Sequence, residues 1–332
     1  MTITRAIRQQ RKGGLGGSDA AAILGISPNG TPLSVYDSKL LELPDEPKDI
    51  YWYGNEGEKM IAARIWHDLR ARKEYRGRRL IEPKEMLWHP NGWAFGNPDR
   101  ILIEKSSGKW LAGYECKWVN NNDRARWSEA DAPTVNYPKH FWAQAFHYLW
   151  VARARGHNLD CWWIVAMLGG YDTRYYRVGW DEERAAKYEK RLRRFWEDHV
   201  LAEIPPPYTA RKTDTRSLNR RFQNEIDEAL QSTPEIDKKM DHYAQITKTI
   251  RSLEEERGLI KNDLRAWLGS STRVRGDSWS GSYRKPRTKM KIDYKALVES
   301  LELSPGELSK FTKKTEPDRR LTITIKKEKK ND

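Results

Sequence analysis

An α/β (α+β) fold, a mixed central sheet flanked by helices, is what this sequence predicts, and three observations predict it. Helical runs open the chain, strand-like segments occupy 85–119, and a strongly aromatic helical run near 140–155 leads into another pair of strands over 161–180. The resulting order α-β-β-β-α-β, with short connections, requires helices packed on a mixed sheet. At 332 residues the chain can bury a substantial core and still carry an appendage.

Residues 1–17 are basic (Arg5, Arg8, Arg11, Lys12) and then glycine-rich, Gly13-Gly14-Leu15-Gly16-Gly17. Ser18-Asp19 opens an alanine-rich helix, Ala20 to Leu24, with Ser18 as the expected N-cap, Asp19 placed for the helix dipole and Gly25 as the stop. Thr31-Pro32 begins the next helix, with proline at its first position. A third run follows Gly54-Asn55-Glu56-Gly57-Glu58, where Met60, Ile61, Ile65 and Leu69 recur at helical spacing.

Strands are expected over Glu85–His89, Trp93–Ile103 with a break at Asn97-Pro98, and Trp110–Val119. Residues 120–137 read as a polar loop. Pro138 starts the aromatic helix, His140 to about Arg155, whose His140 and His147 are the kind of isolated histidine that packs rather than reacts. Cys161–Leu168 reads as a buried strand, and Gly169-Gly170 turns the chain into Thr173–Trp180. A charged amphipathic helix, Asp181–Ala202, ends before Pro205-Pro206-Pro207.

The proline triplet marks the end of a first domain, 1–210. In the following region, 211–270, Ile236, Met240, Tyr243, Ile246, Ile250, Leu253, Ile260, Leu264 and Trp267 recur at three- and four-residue steps. They define a long amphipathic helix, packed on the core or on a partner and ended by Gly269. Residues 271–332 are basic, with possible strands around Trp279–Tyr283 and Leu321–Ile325 and a frayed tail, KKEKKND.

A formal charge of +14 and a sequence pI near 9.6 call for an anionic partner. With 15 Trp and 15 Tyr beside the basic residues, nucleic acid fits better than plain solubility charge, and binding should weaken steeply with salt. Two cysteines, Cys116 and Cys161, exclude a disulfide framework and a four-cysteine zinc or iron–sulfur site. They fit a reducing cytoplasm. No apolar run approaches the ~20 residues of a membrane span, and the N-terminus lacks a signal-peptide core.

Asn97-Pro98-Asp99 followed by Tyr114-Glu115-Cys116-Lys117 carries the chemistry. Strand alternation puts Glu115 and Lys117 on one face and Cys116 on the other. Asp99, Glu115 and the Cys116 backbone carbonyl would offer oxygen to a hard cation, and Lys117 would orient or help deprotonate an attacking water. The competing reading of that pair is a solvated strand with alternating charge.

Five pieces in order resolve this: Gly17-Ser18-Asp19 before the alanine-rich helix and Gly25, Gly54-x₃-Glu58, Gly96-x₂-Asp99, Glu115-x-Lys117, and Gln144-x₃-Tyr148. With them, residues 10–210 resemble the YqaJ-type viral recombinase family, relatives of the phage lambda-type exonucleases and, more distantly, of RecB-like nucleases with the PD-(D/E)xK core. The resemblance implies a Mg²⁺- or Mn²⁺-dependent deoxyribonuclease with two ions per site. Asp99, Glu115 and Glu58 would be the metal-binding acids and Lys117 the catalytic lysine. Gln144 and Tyr148, one helical turn apart, would border the site and touch nucleic acid or a catalytic side chain. Arg11 and Ser18 match the pair that holds a 5′-phosphate, and a glycine-rich loop with a guanidinium and a hydroxyl suits an anion.

The function so implied is exonucleolytic resection of linear double-stranded DNA from 5′-phosphorylated ends, leaving 3′ tails for a single-strand annealing protein of the RecT or Redβ kind. A homo-oligomer is compatible with the long helix. The alternatives are an endonucleolytic or structure-specific nuclease on the same fold, and a non-catalytic DNA-binding protein with a decayed site. The intact set Glu58, Asp99, Glu115 and Lys117 argues against decay.

Overall fold

The computed structural model describes residues 5–42, 49–129, 135–286, 293–301, 303–312 and 321–323. The chain divides into two compact units, Met1–Arg221 and Phe222–Asp332. In the first unit the helices α1 (Arg5–Lys12), α2 (Gly17–Ile23), α3 (Pro32–Leu40) and α4 (Asp49–Arg70) precede the strands β1 (Arg78–Ile81), β2 (Leu87–Trp88), β3 (Phe95–Gly96), β4 (Arg100–Glu104) and β5 (Trp110–Val119). Helix α5 (Lys139–Ala154), strands β6 (Cys161–Leu168) and β7 (Asp172–Gly179), and helices α6 (Glu182–Phe195) and α7 (Lys212–Arg221) complete it.

Five strands form one sheet in the order β1-β4-β5-β6-β7, while β2 and β3 pair as a separate ribbon. Every contact in the large sheet is antiparallel except β5 with β6, so the sheet is mixed, as the sequence predicts. The single parallel pair follows from the long crossover through α5, which a hairpin turn could not provide. One face packs Ile61 and Ile65 of α4 over Leu102, Tyr114, Cys116 and Val165. The other carries the larger core, where α5 and α6 bring Phe146, Leu149 and Leu192 against Trp162, Ile164 and Tyr176.

Several local expectations change. Ser18 is not the N-cap of α2: Gly16 is, with extended φ −99° and ψ 175°, and Asp19 reaches back to accept the Gly16 N–H at 2.9 Å. The helix can start there because Gly17 lies against Gln144 and Tyr148, where a Cβ would come within 3.0 Å of either side chain. Helix α4 begins at Asp49, ahead of the glycines, so Glu58 sits inside the helix and not in its first turn. Gly57 is tolerated there because a Cβ would meet the Trp118 ring at 2.8 Å; close helix–sheet approach outweighs helix propensity.

The expected strand Trp93–Ile103 is two strands in two different sheets, separated where Pro98 removes an N–H donor. Strand β1 was not expected at all: the Arg78-Arg79-Leu80-Ile81 run lacks alternation because it lies at the sheet edge, paired only with β4. The first unit also runs past residue 210. Helix α7 stays with it because Arg221 pairs with the buried Asp37, Asp214 accepts from Thr31 and Thr209, and Arg211 donates to Gly30 O at 2.9 Å.

In the second unit α8 spans Pro234–Leu268, capped by Thr233 and ended at Gly269, whose φ of +52° suits glycine. Strands β8 (Arg273–Arg275) and β9 (Ser280–Ser282) make a short hairpin, followed by α9 (Tyr294–Ser300) and α10 (Pro305–Ser309). Of the strand expected at Leu321–Ile325, residues 321–323 are not in a strand; the remainder and the KKEKKND tail lie outside the described residues. Among the described residues no helix is long and apolar enough to cross a membrane.

Candidate active site

Asp99 immediately precedes β4, and the antiparallel register that sets Arg100 opposite Tyr114 brings it beside the middle of β5. The Cys116 N–H donates to Asp99 Oδ2 at 2.7 Å, which fixes the carboxylate against that strand. Strand alternation then sorts β5 as expected. Cys116 belongs to the apolar cluster under α4, whereas Lys117 turns toward α5, its Nζ 5.0 Å from the Phe141 ring centroid. Glu115 is 1 % exposed, buried by its place between β4 and β6.

Lys117 Nζ is ion-paired with Glu115 Oε1, and Glu115 Oε2 is buried without a hydrogen-bond partner. Such an orphaned carboxylate oxygen is costly unless something cationic meets it. Desolvation, and then Glu115, push the Asp99 carboxyl well above the usual carboxylate range, although part of its side chain faces the cleft. Desolvation also raises Glu115 against the opposing pull of Lys117. Burial alone would lower Lys117, but Glu115 and Asp99 overcome it and hold the ammonium above its ordinary value. One cation thus serves two crowded acids, and the donor set is all oxygen, so a hard divalent ion fits the pair.

Glu58 does not complete a cage. Its Oε1 lies 2.5 Å from Arg100 Nη1, and among the described residues no group of three or more His, Cys, Asp or Glu side chains is gathered to hold a metal. The arrangement is therefore a converging pair, Asp99 and Glu115, with Glu58 held nearby on Arg100.

On α5, Gln144 Nε2 donates to Tyr148 Oη at 3.0 Å, as one-turn spacing predicts. Burial, followed by Glu115 and Asp99, pushes the Tyr148 phenol well above its usual range, so it keeps its proton. Arg11 Nη2 donates to Ser18 Oγ at 3.3 Å, joining α1 to α2. Beneath them the buried Lys39 Nζ contacts Asp19 Oδ2 at 2.7 Å and Arg11 O at 2.9 Å. Burial alone would raise Asp19, yet Lys39 and Arg11 bring it below the usual range.

Arg11, Ser18, Glu58, Asp99, Glu115, Cys116, Lys117, Gln144 and Tyr148 all line one cleft of about 500 Å³. A hollow of about 560 Å³ beside α6, rimmed by Lys187, Lys190, Arg191 and Arg194, contains none of them. The sequence reading missed Lys39, Arg100 and the half-exposed Trp118, which lines the cleft above Gly57. None carries a local signature; their importance comes from partners distant in sequence. His147 is fully buried between Tyr188 Oη and Phe95 O, both at 2.8 Å, and plays a packing role.

Residues 8–155 match the profile of the YqaJ-like viral recombinase domain. Protein YqaJ of Bacillus subtilis (strain 168), itself uncharacterized, is 23% identical over 313 residues, 92% of this chain and 90% of that protein. Among solved structures, the chain is similar to LHK-Exo in complex with dAMP, at a TM-score of 0.44 and 15% identity over 66% of this chain and 100% of that one. A second structure, the alkaline exonuclease LHK-Exo from Laribacter hongkongensis, gives 0.43 and 14% over the same shares.

Proposed function

We propose that this chain, whose residues 8–155 match the YqaJ-like viral recombinase domain, is a divalent-metal-dependent deoxyribonuclease that resects linear double-stranded DNA from 5′-phosphorylated ends. The observation that carries the reading is the crowded pair of Asp99 and the buried Glu115, with its orphaned oxygen, in the same cleft as Lys117 and the Arg11–Ser18 contact. The net charge of +14 supports a polyanionic substrate.

Asp99, Glu115 and the Cys116 carbonyl are the groups that would hold Mg²⁺ or Mn²⁺, Glu58 would help from its place on Arg100 by holding the ion or its waters, and the bound ion would supply Lewis-acid activation of water and charge neutralisation at the phosphate. Lys117, held cationic by its two acidic neighbours, orients the attacking water and offsets charge growing on the scissile phosphate. Arg11 and Ser18 receive the terminal 5′-phosphate through a guanidinium and a hydroxyl. Lys39 neutralises Asp19, so that the carboxylate below does not repel the incoming anion. Tyr148 stays protonated and donates toward the acids or the backbone of the nucleic acid, steadied by Gln144.

The resulting 3′ tails are substrates for a single-strand annealing protein of the RecT or Redβ kind, which we take as the partner. The two free cysteines fit work in the cytoplasm. The test is nucleotide release from linear duplexes bearing 5′-phosphate or 5′-hydroxyl ends, alongside closed circular DNA, with Mg²⁺ and an Asp99→Ala control. Release favouring phosphorylated ends, with circles intact, is the expected result. Nicked circles would move the protein to the endonuclease class, and binding without cleavage would leave a DNA-binding module.

A further inference from the structure

Helix α8 carries a seven-residue repeat along its whole length. With Ile236 as the first a position, Tyr243, Ile250, Arg257 and Leu264 follow at a, and Lys239, Ile246, Leu253, Ile260 and Trp267 fall at d. Eight of these ten positions are apolar; only Lys239 and Arg257 are not. No residue of the helix is buried, and the eight apolar ones range from 37 % exposed at Leu264 to 71 % at Trp267. A seam repeating every 3.5 residues drifts around a straight helix with 3.6 residues per turn. It stays continuous only when two helices wrap around each other with left-handed supercoiling.

We propose that α8 is a dimerisation helix that pairs with α8 of a second copy of this chain in an antiparallel two-stranded coiled coil. The two-fold axis passes between Arg251 and Ser252, which sets Ile250 against the partner's Leu253 and Tyr243 against the partner's Ile260. Ile236 then meets the partner's Trp267, and the overlap covers nearly the full helix, roughly 50 Å at ~1.5 Å per residue.

The two cations decide the direction. In a parallel pair in register, Lys239 would face the partner's Lys239 and Arg257 the partner's Arg257, placing like charges inside the seam. The antiparallel register instead sets Lys239 against the partner's Leu264 and Arg257 against the partner's Ile246. Each cation is also matched within its own helix: Lys239 Nζ lies 2.7 Å from Glu235, and Arg257 Nη2 lies 3.7 Å from Glu254. Their alkyl stems can then lie along the seam with the charged heads outward. On the flank, His242 comes opposite the partner's Asp263. This complementarity of the helix to itself under a two-fold rotation is what argues for a second copy rather than an unrelated helix.

The test uses the full-length protein. Sedimentation equilibrium should return a dimer, and Leu253→Glu, which buries a charge in the central layers, should raise the dimer dissociation constant on the order of 100-fold or more. Arg257→Leu should lower it, a change that misfolding could not produce. Oxidation of the Ile236→Cys/Trp267→Cys double variant should link position 236 to position 267 of the other copy, read by mass spectrometry of the joined peptides. A monomer at all concentrations, an oligomer unaffected by Leu253→Glu, a stoichiometry other than two, or 236-to-236 linkage would each overturn the proposal.

Discussion

Asp99 Oδ2 accepts a 2.7 Å hydrogen bond from the Cys116 N–H, so one proposed ligand is positioned by the backbone of the strand that carries the other. The geometry at Asp99 therefore survives loss of its charge. Asp99→Asn keeps an oxygen for the Cys116 N–H while removing one of two crowded acids. In chelator the variant should be more stable than the parent by about 1 kcal/mol, because desolvation and Glu115 already disfavour the Asp99 carboxylate. With Mg²⁺ or Mn²⁺ the order should reverse: the parent gains melting temperature and the variant does not. A variant that gained as much as the parent would remove Asp99 from the metal site.

The Arg11–Ser18 contact leads to a substrate-specific prediction. Arg11→Ala should slow digestion about 10-fold or more on 5′-phosphorylated ends and much less on 5′-hydroxyl ends, since it removes a charge-assisted hydrogen bond worth roughly 1.5–3 kcal/mol. Comparing initial rates on the two end types checks it. Equal slowing on both would mean that Arg11 is general surface charge.

Gly113 lies in mid-strand where a Cβ would come within 2.3 Å of the Trp162 ring, and Trp162 is wholly buried. Neither backbone nor indole has room to retreat. Gly113→Ala should cost about 3 kcal/mol or more in urea unfolding, a large penalty for one methyl group. It should also displace β5, reducing cleavage even where the protein remains folded.

His147 supplies a pH signature. Burial lowers its pKa from 6.5 to about 4, so the folded protein prefers the neutral imidazole. Its contribution is complete above pH 6.5 and disappears as the pH falls from 6.5 toward 4, amounting to about 3 kcal/mol at most. Asp19, whose pKa is lowered below 3.8, loses its contribution at still lower pH, so the two limbs separate. Unfolding free energies measured across pH 4–8 should show the upper limb in the parent, and His147→Gln should make it shallower, the remainder coming from His140, which burial also lowers to about 4.

How much was legible beforehand differs from residue to residue. Cys161–Leu168 was readable to the residue because a strand buried on both faces writes a continuous apolar run. Thr31-Pro32 was readable because capping chemistry is local, with Thr31 accepting from the Ser34 N–H. The cap at Gly16 in place of Ser18, and the start of α4 at Asp49 ahead of Gly54–Glu58, are not written locally, because Gly16, Gly17 and Gly57 answer to Phe95, Tyr148 and Trp118 across the fold. Strand β1 escaped notice because an edge position imposes no alternation.

By itself, the sequence determined the α/β class, the charge, and which side chains are candidates for the chemistry, since periodicity, capping and residue type act over a few neighbouring positions. Only the tertiary structure decided that residues from α1 to α5 share one cleft, that Glu58 rests on Arg100, that Lys39 underlies the Arg11–Ser18 contact, and that Glu115 keeps an oxygen without a partner. Those relations depend on strand register and close packing between segments far apart in the chain, and no short window of sequence encodes such distances.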